Sequence, residues 1–359
     1  MTTPSTHTAA FLPAVAKDLI LKKRQTPSPG PEEVLIRNHA IALNPVDWKR
    51  QALGFRISSF PTILGADVCG IVAEVGSSVT AFKSGDRVFS LAHSFCSGNN
   101  DHGAFQEYTV ANASATALLP KDISFQHGAT LPTAVGTATM VLFDVLDFPR
   151  PPIEEVKHSV QGDDLPEPSA SSPKSILVWG GASSAGSMTI QIARLAGLTV
   201  FAAASERHHA HLRSLGASVL VDYHSPSAVE DLIAAAEKAG TQISHAVDTI
   251  TTAHTLSAVV KVLSKSTAAD KMIAHTVGWP ADLPKPDDIR NQWIAADDLW
   301  ERRKDLSVWL YNEALPKWLE RGTVVPNRYR VVDGGLGGLQ TALNELKKGV
   351  SGEKLIVEV

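Results

Sequence analysis

The stretch SILVWGGASSAGSMTIQIARLAGLTV, residues 175–200, decides the fold, because it predicts a strand, a glycine turn, a helix and a second strand in succession. The apolar run 176–179 suits a strand buried on both faces. Gly180 and Gly181 interrupt it, and strand character resumes at Thr199. A turn that feeds a helix N-terminus directs backbone N–H groups at one point, where the helix dipole favours an anion. This geometry can hold the pyrophosphate of a dinucleotide.

The glycine motif of this turn is incomplete. In the pattern G-x-G-x-x-G, Gly181 takes the first place, Ser183 the second and Gly186 the third. The middle glycine, which lets the backbone approach a pyrophosphate closely, is missing. The motif alone therefore leaves open a turn that only connects a strand to a helix.

The end of the second strand favours NADPH over NADH. The strand TVFAAAS ends at Ser205, about where an acidic residue would bind the ribose 2′-hydroxyl of NAD. No acid stands at that position, and Glu206, Arg207, His208 and His209 follow. A hydroxyl beside a guanidinium and imidazoles suits a 2′-phosphate. The alternative is that Ser205 is the N-cap of an ordinary solvated helix.

The composition is that of a globular protein with two domains. A chain of 359 residues is too long for one hydrophobic core. The net charge of −4 and the lack of a basic arm in the sequence argue against a nucleic-acid partner. Cys69 and Cys96 are too few for a disulfide framework and fit a reducing compartment. Because the sequence opens without a signal-peptide pattern and has no membrane-length apolar run, we expect a cytoplasmic protein.

The first third of the chain is rich in strand patterns. Residues 33–43, EVLIRNHAIAL, predict a strand pair, and 63–76 and 84–90 combine β-branched residues with glycine turns. Such a pattern is typical of a small barrel. Residues 122–146 change to helical spacing, and the small residues at 134–139 would let a ligand or, as the commoner case, another helix approach closely.

Strands and helices alternate after residue 174, which favours a doubly wound parallel sheet with its ligand at the strand C-termini. The proline- and serine-rich segment 148–173 before it predicts an exposed insertion, in part disordered. We expect a loop at 280–296, a helix at 297–322 whose tryptophans pack in the core, and a helix at 336–348 before a last strand. The predicted strands are 175–180, 199–204, 218–222, 244–248 and 271–277, and the predicted helices are 185–196, 206–215, 227–239 and 252–263.

Several motifs follow one another along nearly the whole chain. They are NPVDWK at 44–49, LGADVCGIVAEVG at 64–76, SGDRVF at 84–89, GGASSAG at 180–186 and VSGEKLIVEV at 350–359. In this order they resemble the medium-chain dehydrogenase/reductase superfamily. The insertion at 148–173, VDY at 221–223 and SGEKL at 351–355 make the sequence most similar, within that superfamily, to the fungal trans-acting enoyl reductases that serve polyketide synthases.

The resemblance implies an α/β fold with two domains. A GroES-like β-barrel domain, residues 1–130 and 316–359, would supply the catalytic and substrate side. A Rossmann domain with a doubly wound parallel sheet, residues 131–315, would bind NADPH and carry the insertion.

The resemblance also implies that no metal is bound. Zinc-dependent members carry Cys-x-x-Asp and Gly-His-Glu motifs, and in the matching stretches Asn44 replaces the cysteine and Ala66 the histidine. A catalytic zinc needs three protein ligands and an open fourth position, so this site cannot form. We interpret His93 and Cys96 as ordinary loop residues and not as a replacement zinc site.

Carried over residue by residue, the resemblance assigns the site. Lys49 would orient the ribose or assist protonation, and Thr137 would lie near the substrate carbonyl. The alternative for Lys49 is a surface salt bridge, for instance with Asp47. Expected cofactor contacts are Val46, Asp47, Trp48, Lys49, Ala182, Ser183, Ser184, Ala185, Gly186, Ser205, Arg207, His208, Tyr223, Val277, Gly278, Ser351 and Gly352, and expected substrate contacts are Thr137, Ala138, Thr139 and Met140.

The implied reaction is hydride transfer from NADPH to the β-carbon of an α,β-unsaturated polyketide thioester, in secondary metabolism. The substrate would be presented by a synthase carrier domain, and a monomer is favoured over a dimer. Two alternatives remain. One is a soluble quinone or alkene reductase, and the other is a non-catalytic NADPH-binding protein that regulates or acts as a scaffold.

Overall fold

The computed structural model describes residues 3–154, 174–296 and 298–359. They form two compact units. The first comprises Met1–Gly136, Asp297–Glu320 and Pro326–Val359, and the second comprises Thr137–Ala296 and Arg321–Val325. Of the predicted insertion, 155–173 lies outside the described residues.

These units divide the chain differently from the predicted boundaries at 130/131 and 315/316, because the helical segment before residue 320 packs on the first unit. Ser307 Oγ donates a hydrogen bond to the carbonyl of Ser114, and Asn312 Nδ2 donates to the carbonyl of Thr116.

Sixteen strands are present among the described residues, and the helices lie between them. The strands are β1 Thr6–Leu12, β2 Ile20–Gln25, β3 Glu33–Ala42, β4 Thr62–Ile63, β5 Asp67–Val75, β6 Arg87–Leu91, β7 Tyr108–Asn112, β8 Thr116–Leu118, β9 Ser175–Trp179, β10 Thr199–Ala203, β11 Val219–Val221, β12 His245–Asp248, β13 Met272–His275, β14 Arg290–Trp293, β15 Tyr329–Val331 and β16 Lys354–Glu358. The α-helices are α1 Pro45–Leu53, α2 Ser94–Ser97, α3 Phe125–Ala129, α4 Pro132–Thr139, α5 Ser184–Leu195, α6 His209–Ser214, α7 Ala228–Lys238, α8 Ala253–Leu263, α9 Asp298–Glu301, α10 Lys304–Ser307, α11 Leu315–Glu320 and α12 Leu339–Lys348. Short 3-10 helices span Asn100–His102, Ala113–Ala115, Glu206–His208 and Gly335–Gly338, and π-helical segments span Met140–Val145 and Val308–Ala314.

The first unit is mainly β. Its seven-stranded sheet has the order β15-β16-β3-β5-β6-β8, with β7 also paired to β3, and a second sheet has the order β2-β1-β4. Residues 33–43 do not form the predicted strand pair. They form the single strand β3, and the change in its apolar pattern reflects register shifts against β5 near Ile36 and Asn38, because each bulge moves the following side chains to the other face.

The second unit is built on a six-stranded parallel sheet with the order β11-β10-β9-β12-β13-β14, which confirms the predicted doubly wound sheet. The chain reverses direction across the sheet between β9 and β12, so the carboxyl ends of these two strands flank the usual ligand crevice of such folds. All five residues of β9 are buried. The strand β14 was predicted as loop. Its sequence RNQW is polar and mostly exposed because it lies at the sheet edge, where the apolar signal of a buried strand is lost.

The helical segment Phe125–Val145 corrects the expectation that the chain has no apolar run of membrane length. It is 21 residues long and, by length and composition only, apolar enough to cross a membrane. However, 89% of its most apolar window is buried inside the protein. A buried core helix passes the same test, so the segment is weak evidence for a membrane span.

Candidate functional site

The turn after β9 has the geometry of an anion-binding turn. Gly180 adopts a φ of +79°, a left-handed conformation that glycine adopts without strain. Ser183 is the N-cap of α5, and its Oγ accepts a hydrogen bond of 2.9 Å from the amide of Gly186. The first amides of a helix have no partner within the helix. The half-buried segment 182–185 therefore presents backbone donors at the carboxyl edge of the sheet.

Gly186 and Ser183 explain the incomplete glycine motif. A Cβ at position 186 would lie 2.3 Å from the carbonyl oxygen of Gly180, so α5 could not pack this closely on the strand with any other residue. At the middle position, Ser183 Oγ lies 2.9 Å from Thr249 Oγ1, which also donates to the carbonyl of Trp179. The serine that replaces the middle glycine thus belongs to a hydroxyl pair that ties the turn to the loop after β12.

The structure brings together two of the residues predicted to bind a 2′-phosphate, Ser205 and Tyr223. Ser205 follows β10, and its Oγ lies 3.2 Å from the hydroxyl of Tyr223, which is 41% exposed. Arg207 Nε donates to His208 Nε2 over 3.3 Å. Hydroxyl, guanidinium and imidazole groups therefore lie on the solvent side of the strand ends, the donor set that a phosphate prefers.

The carboxylate of Asp222 lies directly before Tyr223 in the sequence and was not among the predicted site residues. Asp222 Oδ1 accepts hydrogen bonds from the backbone amide and the ring Nδ1 of His224, at 3.0 and 2.8 Å. These hydrogen bonds hold the pKa of Asp222 below its ordinary value. The backbone amide of Glu206 is a further donor to this carboxylate, so Asp222 lies beside the residue that follows Ser205.

The loop after β12 contains functional candidates that the sequence did not reveal. Asp248 Oδ1 accepts the amides of Ile250 and Thr251, and Asp248 Oδ2 accepts from Thr255 Oγ1. Thr251 has a φ of +55°, an uncommon conformation for a β-branched residue. Such strain is concentrated at ligand sites, and a positive φ cannot be read from a Thr-Ile-Thr sequence.

Val277 and Gly278 follow β13 at the same edge of the sheet. His275 Nδ1 lies 2.6 Å from the carbonyl oxygen of Val277, which fixes the path of the chain. A Cβ at Gly278 would meet nothing within 4 Å. The backbone at this position is therefore open to a bound group, as the prediction for these two residues requires.

In the first unit, α1 carries the predicted catalytic lysine. Asp47 Oδ2 accepts the amide of Asn44 at 2.7 Å, and Pro45 occupies the first turn, so the start of the helix is well defined. Lys49 is half-buried, and burial lowers the pKa of its ammonium. Its Nζ lies 5.7 Å from the ring centre of Trp48. Among the described residues Lys49 has no ion-pair partner, so the alternative of a salt bridge with Asp47 is not what the structure shows.

A buried ion pair lies beside the start of α1. Lys354 Nζ contacts Asp67 Oδ2 at 2.6 Å and Asn44 Oδ1 at 2.8 Å, and Asn44 Nδ2 donates to the same Asp67 oxygen at 2.9 Å. The other carboxylate oxygen accepts the amide and the hydroxyl of Thr133 at 2.7 and 2.5 Å. We call Asn44, Asp67, Thr133 and Lys354 the buried polar network. The ammonium of Lys354 thus contacts the asparagine that replaces the expected zinc-binding cysteine.

Burial changes the acidity of Asp47, and we expect Asp47→Asn to flatten the pH dependence of stability. Desolvation raises the pKa of Asp47 to about 7 from an ordinary value of 3.8, against the effects of the Asn44 amide and Arg50. The folded state therefore holds this proton more tightly than the unfolded state. Its stabilising contribution is complete below about pH 4, is lost as pH rises from there through about 7, and changes no further above that.

The measurement for Asp47 is the melting temperature from about pH 4 to pH 8, where the effect is of the order of a few kcal/mol. Wild type should lose stability over this range, and Asp47→Asn should lose clearly less. Glu320→Gln, which changes an exposed carboxyl, is the control. Parallel curves for wild type and Asp47→Asn would show that Asp47 keeps an ordinary pKa.

The predicted substrate residues lie on α4 and in the π-helical segment after it. Thr137 retains 8% exposure, whereas Ala138 and Thr139 are fully buried and Met140 nearly so. Thr139 Oγ1 has no hydrogen-bond partner among the described residues. Of these four side chains, Thr137 therefore has the greatest access in this structure.

One group among the described residues could hold a metal ion, and it includes His93. Single ligand atoms of Glu33, His93 and His102 lie within 4.8 Å of one another. His102 Nε2 lies 2.9 Å from a carboxylate oxygen of Glu33, and its ring stacks on that of His93 at 3.8 Å. These contacts involve all three side chains, and Cys96 is not part of the group.

A cavity of about 600 Å³ lies at the opposite edge of the parallel sheet, at the starts of β9 and β12. Its lining includes Phe148, Lys174 and His245. Lys174 borders the segment 155–173, which the structure does not describe. The glycine turn at the carboxyl edge is therefore the better candidate site.

Comparisons with known proteins agree with this geometry. Residues 30–121 match the alcohol dehydrogenase GroES-like domain, and residues 185–269 match the zinc-binding dehydrogenase domain. The chain is 33% identical to the trans-enoyl reductase tndF of Aspergillus flavipes, with 98% of each chain covered. It is also 33% identical to the dehydrogenase orsE of Emericella nidulans, with 99% of this chain and all of that protein covered.

Solved structures share the whole fold. A putative zinc-dependent alcohol dehydrogenase of Rhizobium etli is 22% identical with a TM-score of 0.78, and the CurK enoyl reductase is 18% identical with a TM-score of 0.75. A quinone oxidoreductase of Pseudomonas syringae is 20% identical with a TM-score of 0.72. The alignments with the first two structures cover 99% of both chains. The alignment with the quinone oxidoreductase covers 98% of this chain and 99% of the oxidoreductase chain. At these identities the likeness establishes the fold alone, a GroES-like and a Rossmann domain.

Proposed function

Because the chain belongs to the medium-chain dehydrogenase/reductase family and within it to the trans-enoyl reductases, we propose that it reduces the C=C bond of an α,β-unsaturated polyketide thioester with NADPH. It is an oxidoreductase that acts on C=C bonds. The observation that carries the proposal is the 33% identity to a trans-enoyl reductase over 98% of both chains.

The choice of NADPH rests on the groups after β10 and β11. Ser205 and Tyr223 provide paired hydroxyls, and Arg207 adds a positive charge. A 2′-phosphate gains charge-assisted hydrogen bonds from such a set. The turn 180–186 has the residues to hold the pyrophosphate, since its helix begins with free donors and has no side chain at Gly186.

In the proposed reaction, bound NADPH supplies a hydride to the β-carbon of the substrate. The electrons of the C=C bond then shift toward the thioester, and negative charge develops on the carbonyl oxygen. We assign Thr137 as a donor to that oxygen, because fixed donors stabilise such charge more effectively than water does. Lys49 either delivers the proton to the α-carbon or orients the nicotinamide ribose, and its lowered pKa suits proton transfer.

The reaction as written consumes one hydride and one proton and needs no Lewis acid. Asn44 and Ala66 stand at two of the positions that hold zinc in zinc-dependent relatives, and Lys354 contacts Asn44. A protein ammonium beside Asn44 disfavours a second cation there. We therefore propose a zinc-independent enzyme.

For a trans-acting enzyme, the substrate is presented by a partner. The relatives named trans-enoyl reductases include tndF of A. flavipes and himH of A. japonicus. We propose that the thioester reaches this enzyme on the carrier domain of a polyketide synthase, and that the enzyme acts as a monomer.

A quinone reductase is the second candidate, because a quinone oxidoreductase shares the whole fold. The test is NADPH oxidation, with NADH as control, on adding a short 2-enoyl thioester or a simple quinone. Turnover of the thioester with a preference for NADPH is the expected result. Turnover of the quinone alone would favour the second candidate, and NADPH binding without either reaction would favour a non-catalytic role.

A further inference from the structure

The buried polar network joins three segments that the proposed function places around the reaction. Asn44 begins the segment that carries Lys49, and Thr133 lies in the first turn of the helix that carries Thr137. Lys354 lies two residues after Gly352, at the start of β16. Asp67 contacts the side chains of all three network partners. Its partners lie 23, 66 and 287 positions away in the sequence. One carboxylate and one ammonium thus connect segments that are distant along the chain.

We propose that Lys354 is a positioning residue for the proposed reaction, and that its ammonium, paired with Asp67, holds the segments of Lys49, Thr137 and Ser351 in one arrangement. The inference rests on the proposed function, which assigns those three residues to the cofactor and the substrate. No role had been predicted for Lys354 itself.

Burial argues that this ion pair has a role other than stability. The side chain of Lys354 is 3% exposed and that of Asp67 is fully buried. Moving two charges out of water costs several kcal/mol for each ion, and well-packed apolar residues often give equal or greater stability. What an ammonium adds is several fixed donors. At Lys354, one donor is directed at Asp67 and another at Asn44.

The contacts also explain how the position of α1 is set. Asn44 uses its amide oxygen for Lys354 and its amide nitrogen for Asp67, so this side chain cannot turn without losing a partner. Its backbone amide is held by Asp47. Since Lys49 lies within the first turns of the same helix, its direction follows from the orientation of Asn44.

The start of α4 is set in a similar way. The Asp67 carboxylate lies at the N-terminus of this eight-residue helix and accepts both the amide and the hydroxyl of Thr133. A negative charge at this end of a helix is favourable. Thr137 follows four residues later, about one turn on, and therefore lies on the same helix face.

The test compares Lys354→Met, Asp67→Asn and the double variant with wild type. Lys347→Met, which changes an exposed lysine of α12, is the matched control. The measured quantities are the melting temperature, the dissociation constant for NADPH from fluorescence, and the single-turnover rate of hydride transfer to the 2-enoyl thioester.

Lys354→Met leaves the carboxyl of Asp67 buried without its ammonium partner, so we expect the melting temperature to fall. The double variant removes both charges and should recover most of that loss. Its hydride-transfer rate should stay about tenfold to a hundredfold below wild type, as when reacting groups are displaced by roughly an ångström. A double variant with wild-type stability and wild-type rate would overturn the inference, because the network would then be only structural.

A second variant, Asn44→Ala, tests the same inference if the double variant does not fold. Asn44→Ala keeps the ion pair of Lys354 and Asp67 but releases the start of α1. We expect a hydride-transfer rate about tenfold or more below wild type with most of the stability retained. An unchanged rate in this folded variant would overturn the inference.

Failure of the proposed function gives a different result. If wild type reduces no enoyl thioester, the reaction assignment fails. The positioning role of the buried polar network is then tested by the affinity of the variants for NADPH. Weaker NADPH binding in the folded double variant, by about tenfold, would support positioning of the segments that carry Lys49 and Ser351. Equal affinity in the double variant and Lys347→Met would overturn it.

Discussion

Lys49→Ala should lower kcat by about a hundredfold or more, the usual contribution of a positioned proton donor, while NADPH binding changes only a few-fold. The reason is that the Lys49 ammonium is half-buried on α1 and has no ion-pair partner among the described residues. Desolvation therefore lowers its pKa. A lysine in this state holds its proton less tightly than an exposed lysine. The measurement is single-turnover reduction of the 2-enoyl thioester at saturating NADPH.

Lys49→Arg separates the two roles proposed for this side chain. An arginine keeps the charge and can donate hydrogen bonds to a ribose, but it does not release a proton near neutral pH. Recovery of activity in Lys49→Arg would assign ribose orientation, and continued loss would assign protonation. Lys83→Ala, an exposed lysine in the turn before β6, is the control. If Lys49→Ala keeps wild-type kcat, neither role is correct.

The second large effect concerns cofactor choice. We expect Arg207→Ala to reduce the preference for NADPH over NADH by about 10- to 100-fold, the value of one charge-assisted hydrogen bond. Adding Ser205→Asp should reverse the preference, since a carboxylate repels the 2′-phosphate and accepts from the 2′-hydroxyl of NADH. The measurement is kcat/KM for each cofactor with the same thioester.

The control for cofactor choice is Arg213→Ala, an exposed arginine at the end of α6. It removes the same charge but does not belong to the cluster of Ser205 and Tyr223, so the ratio of the two cofactors should stay unchanged. Equal losses for NADPH and NADH in Arg207→Ala would show that Arg207 does not contact the 2′-phosphate.

Much of the second unit could be predicted because its signals are local. The buried strand β9 is continuously apolar, the turn at Gly180 interrupts it, and α5 follows with helical spacing. Strands and helices up to β13 were predicted within one or two residues, except that the first turn of the helix after β10 is a 3-10 helix. Each of these elements has its own hydrophobic period, and short crossovers leave few alternatives for a parallel sheet.

The parts that were missed depend on distant partners. A lysine in SGEKL is typical of a solvated turn, and Lys354 is buried only because Asp67 and Asn44 lie 287 and 310 positions before it. The strand β14 is polar because it lies at an edge. The positive φ of Thr251 accompanies hydrogen bonds from its amide and its hydroxyl to Asp248. None of these features has a periodicity that a local pattern could reveal.

The position of β16 beside β3 also affects how the protein folds during its synthesis on the ribosome. Residues 40–42 of β3 pair with residues 356–358, so the two halves of this ladder are synthesised far apart in time. At translation rates of 5–20 residues per second, the intervening chain takes roughly 15–60 s to appear. During that interval residues 40–42 of β3 have an unpaired edge, and unpaired strand edges are prone to aggregation. The nascent chain therefore has a reason to depend on chaperones until its last strand is released, whereas the parallel sheet between β9 and β14 can form earlier.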